Sequence, residues 1–293
     1  MKLVLVHGRS QQGKDPMTLQ KEWTDALTYG LARANAPIPL AADVSFAYYG
    51  DLLAGLVAGI EEALPADVAS RGLDSGQPSY ALAQRAILAD IVANVGLSPQ
   101  SVASEAEDIQ ARDPQNWGWV LAATRALSRI PGLDSRVIDT FVRDVSLYVT
   151  NSAARRAVDR VVHDTLGSEP FVLVAHSLGT VVAYNVLRSP DRPAPCAGLV
   201  TLGSPLGISG IRSRLDSPLE FPDDLETWFN AFDKADIVAL RPLDSEHFDV
   251  DPPVENYDGV LNFTSNRHGI AGYLADPVVA GRIADLVTAR TVG

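Results

Sequence analysis

The chain has almost no cysteine. Cys196 stands alone among 293 residues, so no disulfide can close within the chain and no cluster of thiolates can hold a metal. Basic residues are also scarce, 24 Lys and Arg against 36 Asp and Glu, which leaves a formal net charge of −12. Such a surface repels phosphate backbones and anionic head groups, so nucleic acid is not expected as a partner. Long apolar runs are missing too. Lys2 is followed by only four apolar residues before His7-Gly8, too few for the core of an export signal. The longest uncharged stretch of note, 193–211, is interrupted by prolines and glycines and does not suit a membrane span. With 46% hydrophobic and 20% charged residues, the chain can build a core and does not have a disordered composition. A soluble, cytoplasmic protein without a transmembrane segment is the expectation.

What the chain does have is an alternation of textures. Leu3 to Val6 is an apolar run closed by Gly8. A helical pattern follows over 18–34, with Leu19, Trp23, Leu27 and Leu31 at four-residue steps, and Pro37 and Pro39 end it. Val44 to Tyr49 reads as a second strand, giving a strand–helix–strand unit and hence a parallel sheet. From Asp51 to about Leu166 the pattern becomes helix after helix. One apolar face carries Leu53, Leu56, Ile60 and Leu64, another Ile87, Ile91 and Val95, and further helices span 117–130, 137–149 and 153–166. Breaks fall near Pro65, over 72–78, at Pro99 and at Pro131-Gly132. Strand texture returns at Phe171 to Ala175, followed by a helix over 179–187 and strands over 197–202, 227–232 and 260–264. A last helix covers 277–288. The reading is a single α/β domain over 1–293, with residues 51–150 as a helical insertion covering one end of the sheet.

The most informative stretch is Val174-Ala175-His176-Ser177-Leu178-Gly179-Thr180, where a buried strand runs straight into a helix. A serine on so sharp a turn projects its hydroxyl above the sheet, and small flanking residues let the backbone turn. These are the mechanics of the nucleophile elbow G-x-S-x-G, with Ala175 at the first glycine position.

On these residues the chain resembles the α/β-hydrolase superfamily, and within it the lipase-like serine esterases. His7-Gly8 matches the end of that family's first core strand, and Ala175 to Gly179 its elbow. Thr201-Leu202-Gly203-Ser204-Pro205-Leu206-Gly207 is similar to a T-x-G-[ST]-P-x-x-G stretch of lipases. The resemblance spans roughly residues 1–50 and 165–293 and implies a mostly parallel sheet flanked by helices. It also implies an order of nucleophile, acid, then base. Ser177 is then the nucleophile. Of the two histidines that follow, His247 lies in a polar, proline-bounded loop, whereas His268 comes after the last strand candidate, where the family places its base. The acid is expected after the strand over 227–232, where Asp233 and Asp236 both stand. Asp236-Ile237-Val238-Ala239 fits the family's D-x-V-[PA], and Asp236 to Leu243 is similar to a stretch of intracellular DDHD-type phospholipases; Asp236 is therefore favoured over Asp233. The oxyanion hole is implied to use the Leu178 amide together with that of Arg9, or alternatively Ser10. His176 is expected to be structural.

The resemblance implies ester hydrolysis through an acyl-enzyme, with no cofactor. A small-molecule or lipid ester is the expected substrate, and the apolar helical insertion leans towards medium or long acyl chains and transient lipid contact. Three other readings come from the residues. Gly8 to Asp15 nearly spells the phosphate-binding G-x-x-x-x-G-K-[ST], although Asp15 stands at the hydroxyl position and Pro16 disfavours helical geometry there. His247-Phe248-Asp249-Val250-Asp251 alternates hard-metal ligand types. A hydrolase-fold binding protein without turnover would be marked by a missing triad member, and none is clearly missing.

Overall fold

Six strands form one sheet: β1 (Lys2–Val6), β2 (Asp43–Ala47), β3 (Phe171–His176), β4 (Cys196–Leu202), β5 (Trp228–Ala231) and β6 (Glu255–Tyr257). Every neighbouring pair is parallel, and the order is β2-β1-β3-β4-β5-β6. The computed structural model describes residues 1–37, 43–63, 78–107, 115–130 and 135–289. Eleven helices are assigned among these residues. In chain order α1 (Pro16–Arg33), α2 (Gly50–Ala63), α3 (Pro78–Asn94), α4 (Pro99–Glu107), α5 (Gln115–Ser128) and α6 (Ser135–Thr150) come first. They are followed by α7 (Ser152–Leu166), α8 (Leu178–Leu187), α9 (Ser209–Arg212), α10 (Ile270–Leu274) and α11 (Pro277–Thr288).

The central strands are buried on both faces, which is why they read as continuous apolar runs. Side chains alternate between the faces. Leu3, Leu5, Val172 and Val174 meet α1, α10 and α11, while Val4, Val6, Leu173 and Ala175 meet α7 and α8. Each large aliphatic side chain so buried contributes about 1.5–3 kcal/mol. The second of these cores continues without a gap into Val57 of α2, Ile87 of α3, Val102 of α4, Ala122 of α5 and Phe141 of α6. The helical stretch between β2 and β3 thus shares its core with the sheet.

The chain begins at β1 in mid-sheet, steps to the edge at β2, and returns through the helices to β3 on the other side of β1. The strand ends beside β1 and β3 therefore flank a crevice where the direction of winding reverses, the usual place for a ligand in an open parallel sheet. Helix starts are fixed locally. Asp15 caps α1 by accepting the Thr18 amide and hydroxyl, each at 2.8 Å, with Pro16 following it.

Two elements differ from the expectation. Residues 260–264 do not form a strand, because the Asn262 amide donates to the Asp233 carboxylate at 2.9 Å instead of joining the sheet. The sixth strand is Glu255–Tyr257, whose Asn256 Oδ1 accepts Asn230 Nδ2–H at 2.9 Å and so holds the register. Pro99 opens α4 where a break alone was expected, since proline suits the first turn of a helix. The expected breaks at Pro65, over 72–77 and at Pro131-Gly132, and the residues Pro39 and Leu64, lie outside the described residues. Among the described residues, no helix is long and apolar enough to cross a membrane.

Candidate active site

Ser177 joins β3 to α8 with φ 56° and ψ −130°, a conformation that costs a non-glycine residue about 1–3 kcal/mol. The turn is held by the Ser177 amide, which donates to Leu202 O at 3.1 Å, and by Thr180, whose amide and hydroxyl both donate to Ser177 O. It also needs close packing. A Cβ on Gly179 would lie 2.4 Å from the His7 carbonyl oxygen, so only glycine lets α8 sit against the end of β1. Leu178 is the first residue of α8, and its amide belongs to the first turn, whose donors have no acceptor within the helix.

His268 and Asp236 meet at the neighbouring strand ends. His268 Nδ1 lies 2.7 Å from Asp236 Oδ2, and both side chains are buried. The Val238 amide donates to Asp236 Oδ1 at 2.9 Å, which fixes the second oxygen. Gly203, at φ 58°, follows β4 directly beneath this pair. A Cβ there would press to 3.2 Å on both Asp236 Oδ2 and the His268 ring. Ser177 Oγ and His268 Nε2 are both buried and have no hydrogen-bond partner within the protein. Both residues line one cleft of about 310 Å³, together with Arg9, Ser10, Lys14, Glu22, Val137 and Asn266 among others. Buried polar atoms are nearly always satisfied, so two unpaired side-chain atoms beside one cleft make it the candidate site.

Asp233, the other acid considered, is directed elsewhere. Its Oδ1 accepts the Ala235 amide at 2.8 Å, and its Oδ2 takes the Asn262 amide at 2.9 Å and Arg267 Nη1 at 3.4 Å. It ties down the loop that carries His268. Asn262 works in the same loop, donating to Gly269 O at 2.7 Å. His176 lies against His268. Its Nε2 hydrogen bonds the His268 carbonyl at 2.8 Å, and the two rings lie 4.6 Å apart. Burial, and then the neighbouring His268, hold the His176 ring well below its ordinary protonation range.

Arg9 and Ser10 form the other wall of the cleft, in the β1–α1 loop, where Arg9 Nη1 donates to Ser10 Oγ at 2.9 Å. The loop is anchored by His7. Tyr49 donates its amide to His7 Nε2 at 2.9 Å and its hydroxyl to His7 O, and His7 Nδ1 pairs with Gly8 O. Burial lowers the His7 pKa to about 4, so the ring is neutral at pH 7.

The phosphate-loop reading finds other uses for its residues. The Gly13 amide donates to Asp51 Oδ1 at 2.6 Å, Lys14 Nζ donates to Gln11 Oε1 at 3.1 Å, and Asp15 is the cap of α1. A carboxylate thus occupies an amide that would face phosphate. In the 247–251 run, His247 Nδ1 pairs with Asp244 Oδ1 at 2.8 Å and Phe248 is buried in the core. Among the described residues, no three His, Cys, Asp or Glu side chains gather in a way that could hold a metal ion. Cys196, the first residue of β4, is buried, and burial pushes its thiol up to about 12.

No protein-family model matches the chain, and no curated protein matches it in sequence. Tyr273 is the residue at this site that sequence reasoning missed. Its hydroxyl donates to Asp236 Oδ2 at 2.6 Å. No local pattern announces it, because its partner lies in a different connection of the sheet.

Proposed function

We propose that the chain is a serine hydrolase of carboxylic esters, built on an α/β-hydrolase-type scaffold. Ser177 attacks the acyl carbonyl, and His268 takes the serine proton through Nε2 and returns it to the leaving alcohol. Asp236 holds the imidazole in the tautomer that leaves Nε2 free to accept and steadies the imidazolium that forms. The Leu178 and Arg9 amides receive the developing oxyanion. Water then enters by the same route, giving up its proton to His268, and releases the acid. The observation that carries this reading is the pairing of Asp236 with His268 and a serine held at positive φ, with Ser177 and His268 lining one cleft and Ser177 Oγ and His268 Nε2 left without partners.

The cleft also bears on the substrate. At about 310 Å³ it lies at the small end of ligand pockets, and charged and amide side chains share its lining with Leu19, Trp23, Val137 and Ile270. These dimensions favour a short acyl group over the longer chains that the apolar helices alone suggest. A lipase or phospholipase is therefore the narrower reading.

Fluorophosphonate labelling and p-nitrophenyl ester hydrolysis test both points. Wild type is expected to label at Ser177 and to hydrolyse butyrate faster than decanoate. Ser177→Ala and His268→Ala are expected to lose labelling and about 10⁴–10⁶ of the rate while remaining folded. A folded wild type that neither labels nor turns over any ester would overturn the proposal in favour of a binding protein. A maximum at long chains would restore the lipid reading.

A further inference from the structure

Tyr273 lies on α10, the short helix that follows the His268 loop, with its ring buried in the core between the sheet and α1. Its hydroxyl is engaged on both sides. It donates to Asp236 Oδ2 at 2.6 Å and accepts the Asp233 amide at 3.3 Å. The oxygen it reaches is the one paired with His268 Nδ1 at 2.7 Å. Among the described residues, the hydrogen bonds on this oxygen are those two. One short segment thus delivers two donors, from His268 and Tyr273, to a single carboxylate oxygen.

A carboxylate oxygen that accepts two short bonds divides its charge between the donors. Resting on the hydrolase reading above, we propose that Tyr273 is a positioning residue: its hydroxyl pins Asp236 Oδ2 against the imidazole and takes up part of the acid's charge, which sets how tightly the protonated base is held. Burial, and then the Asp236 charge, keep the Tyr273 hydroxyl protonated far above neutral pH, so it donates throughout the working range.

Other charged or titratable groups lie around His268 and its cleft. His176 approaches from β3 at 4.6 Å between rings, and Arg9, Lys14 and Glu22 border the cleft from the β1–α1 loop and α1. Asp233, below, is paired with Arg267 at 3.4 Å. Tyr273 acts on the acid itself, and this separates its effect from theirs.

The test is Tyr273→Phe, which keeps the ring and removes the hydroxyl. Without its second donor Asp236 is less firmly placed, which lowers kcat, but its undivided charge stabilises the imidazolium, so the base stays protonated to higher pH. The acid limb of the kcat/KM profile is expected to move up by about 0.5–1 pH unit, with the plateau kcat lowered about tenfold and KM unchanged. Replacing Tyr273 by 3-fluorotyrosine, a stronger donor of the same shape, is expected to move the limb down, and it keeps the test alive should the Phe variant unfold. The upward shift is expected to vanish in an Asp236→Asn background. Titration of the His268 ring by NMR reads the same displacement without any turnover. If wild type neither labels nor hydrolyses esters, the function proposed above fails, and the NMR titration still decides the role of Tyr273. A Tyr273→Phe profile and titration that superimpose on wild type, with a change only in thermal stability, would overturn the inference.

Discussion

The carboxyl end of the sheet and the helical stretch from α2 to α6 share one continuous core, yet the buried hydroxyl of Ser146 on α6 is treated differently from the polar side chains at the sheet. At the sheet the polar side chains form chains. Trp228 Nε1 donates to Thr201 Oγ1 at 3.0 Å, Thr201 donates to Asn230 Oδ1 at 2.9 Å, and Asn230 Nδ2 continues to Asn256. Asn256 Nδ2 then donates to Leu243 O at 2.9 Å. In this region Ser177 Oγ and His268 Nε2 stay open, the atoms on which the proposed chemistry depends. In the helical stretch Ser146 is fully buried on α6, and its hydroxyl has no partner. Buried polarity at the sheet carries order and the proposed chemistry, whereas at Ser146 it is a net expense.

The largest effect that would sharpen this contrast is an acid one. His7 and His176 are buried and neutral, with pKa values below the unfolded value. Between the unfolded and folded values the unfolded chain binds more protons. Stability is therefore present above pH 6.5 and is lost as pH falls towards 4. For His7, lowered to about 4, the loss is about 3 kcal/mol. His7→Asn is expected to be less stable than wild type at pH 7 and to show a flatter decline in Tm from pH 7 to pH 4. Parallel declines would show that the His7 proton plays no part. A middle-sized effect is expected from Thr201→Val, which strands the Trp228 N–H and the Asn230 carbonyl in the core. Urea unfolding should give a loss of about 2 kcal/mol. The smallest effect has the opposite sign. Ser146→Ala removes an unpartnered hydroxyl and is expected to stabilise by about 1 kcal/mol. If Ser146→Ala destabilises instead, the hydroxyl is doing something and the contrast between the two regions breaks.

The same contrast explains what could be read from the sequence. Leu3 to Val6 and Phe171 to Ala175 are legible as strands because both faces are buried and every residue must be apolar. α11 begins and ends where its pattern says, its start fixed by Asp276 accepting the Val278 and Val279 amides. β6 is not legible, since it is a three-residue edge strand, Glu-Asn-Tyr, largely open to solvent, and nothing in it asks to be buried. The apolar run beside it, at 260–264, is more conspicuous and serves as a loop. At the site, Ser177 is visible from local texture alone. Asp236 and His268 come from the order of residues in a resembling family, and the structure brings those two together and turns Asp233 to the loop behind them. Tyr273, Asn262 and Arg267 act over distances in sequence that no local pattern encodes.

The position of β1 has a consequence in time. Val6 pairs with Ala47 on one side and with Ala175 on the other. The second closure spans a loop about four times longer, which by itself adds only about 1 kcal/mol of chain entropy. On a ribosome adding ~5–20 residues per second, however, β1 waits on the order of 10 s for β3 to emerge, and longer for the His268 loop. During that wait the flank of Leu3 to Val6 that β3 will cover lies bare, an unpaired strand edge of the kind that recruits other chains. The helices between β2 and β3 pack on one another, α3 with α5 and α6 and α4 with α5, but α3 also meets α9 and α7 meets α8, which emerge later. The length of the helical stretch between β2 and β3 therefore sets how long that edge of β1 stays open.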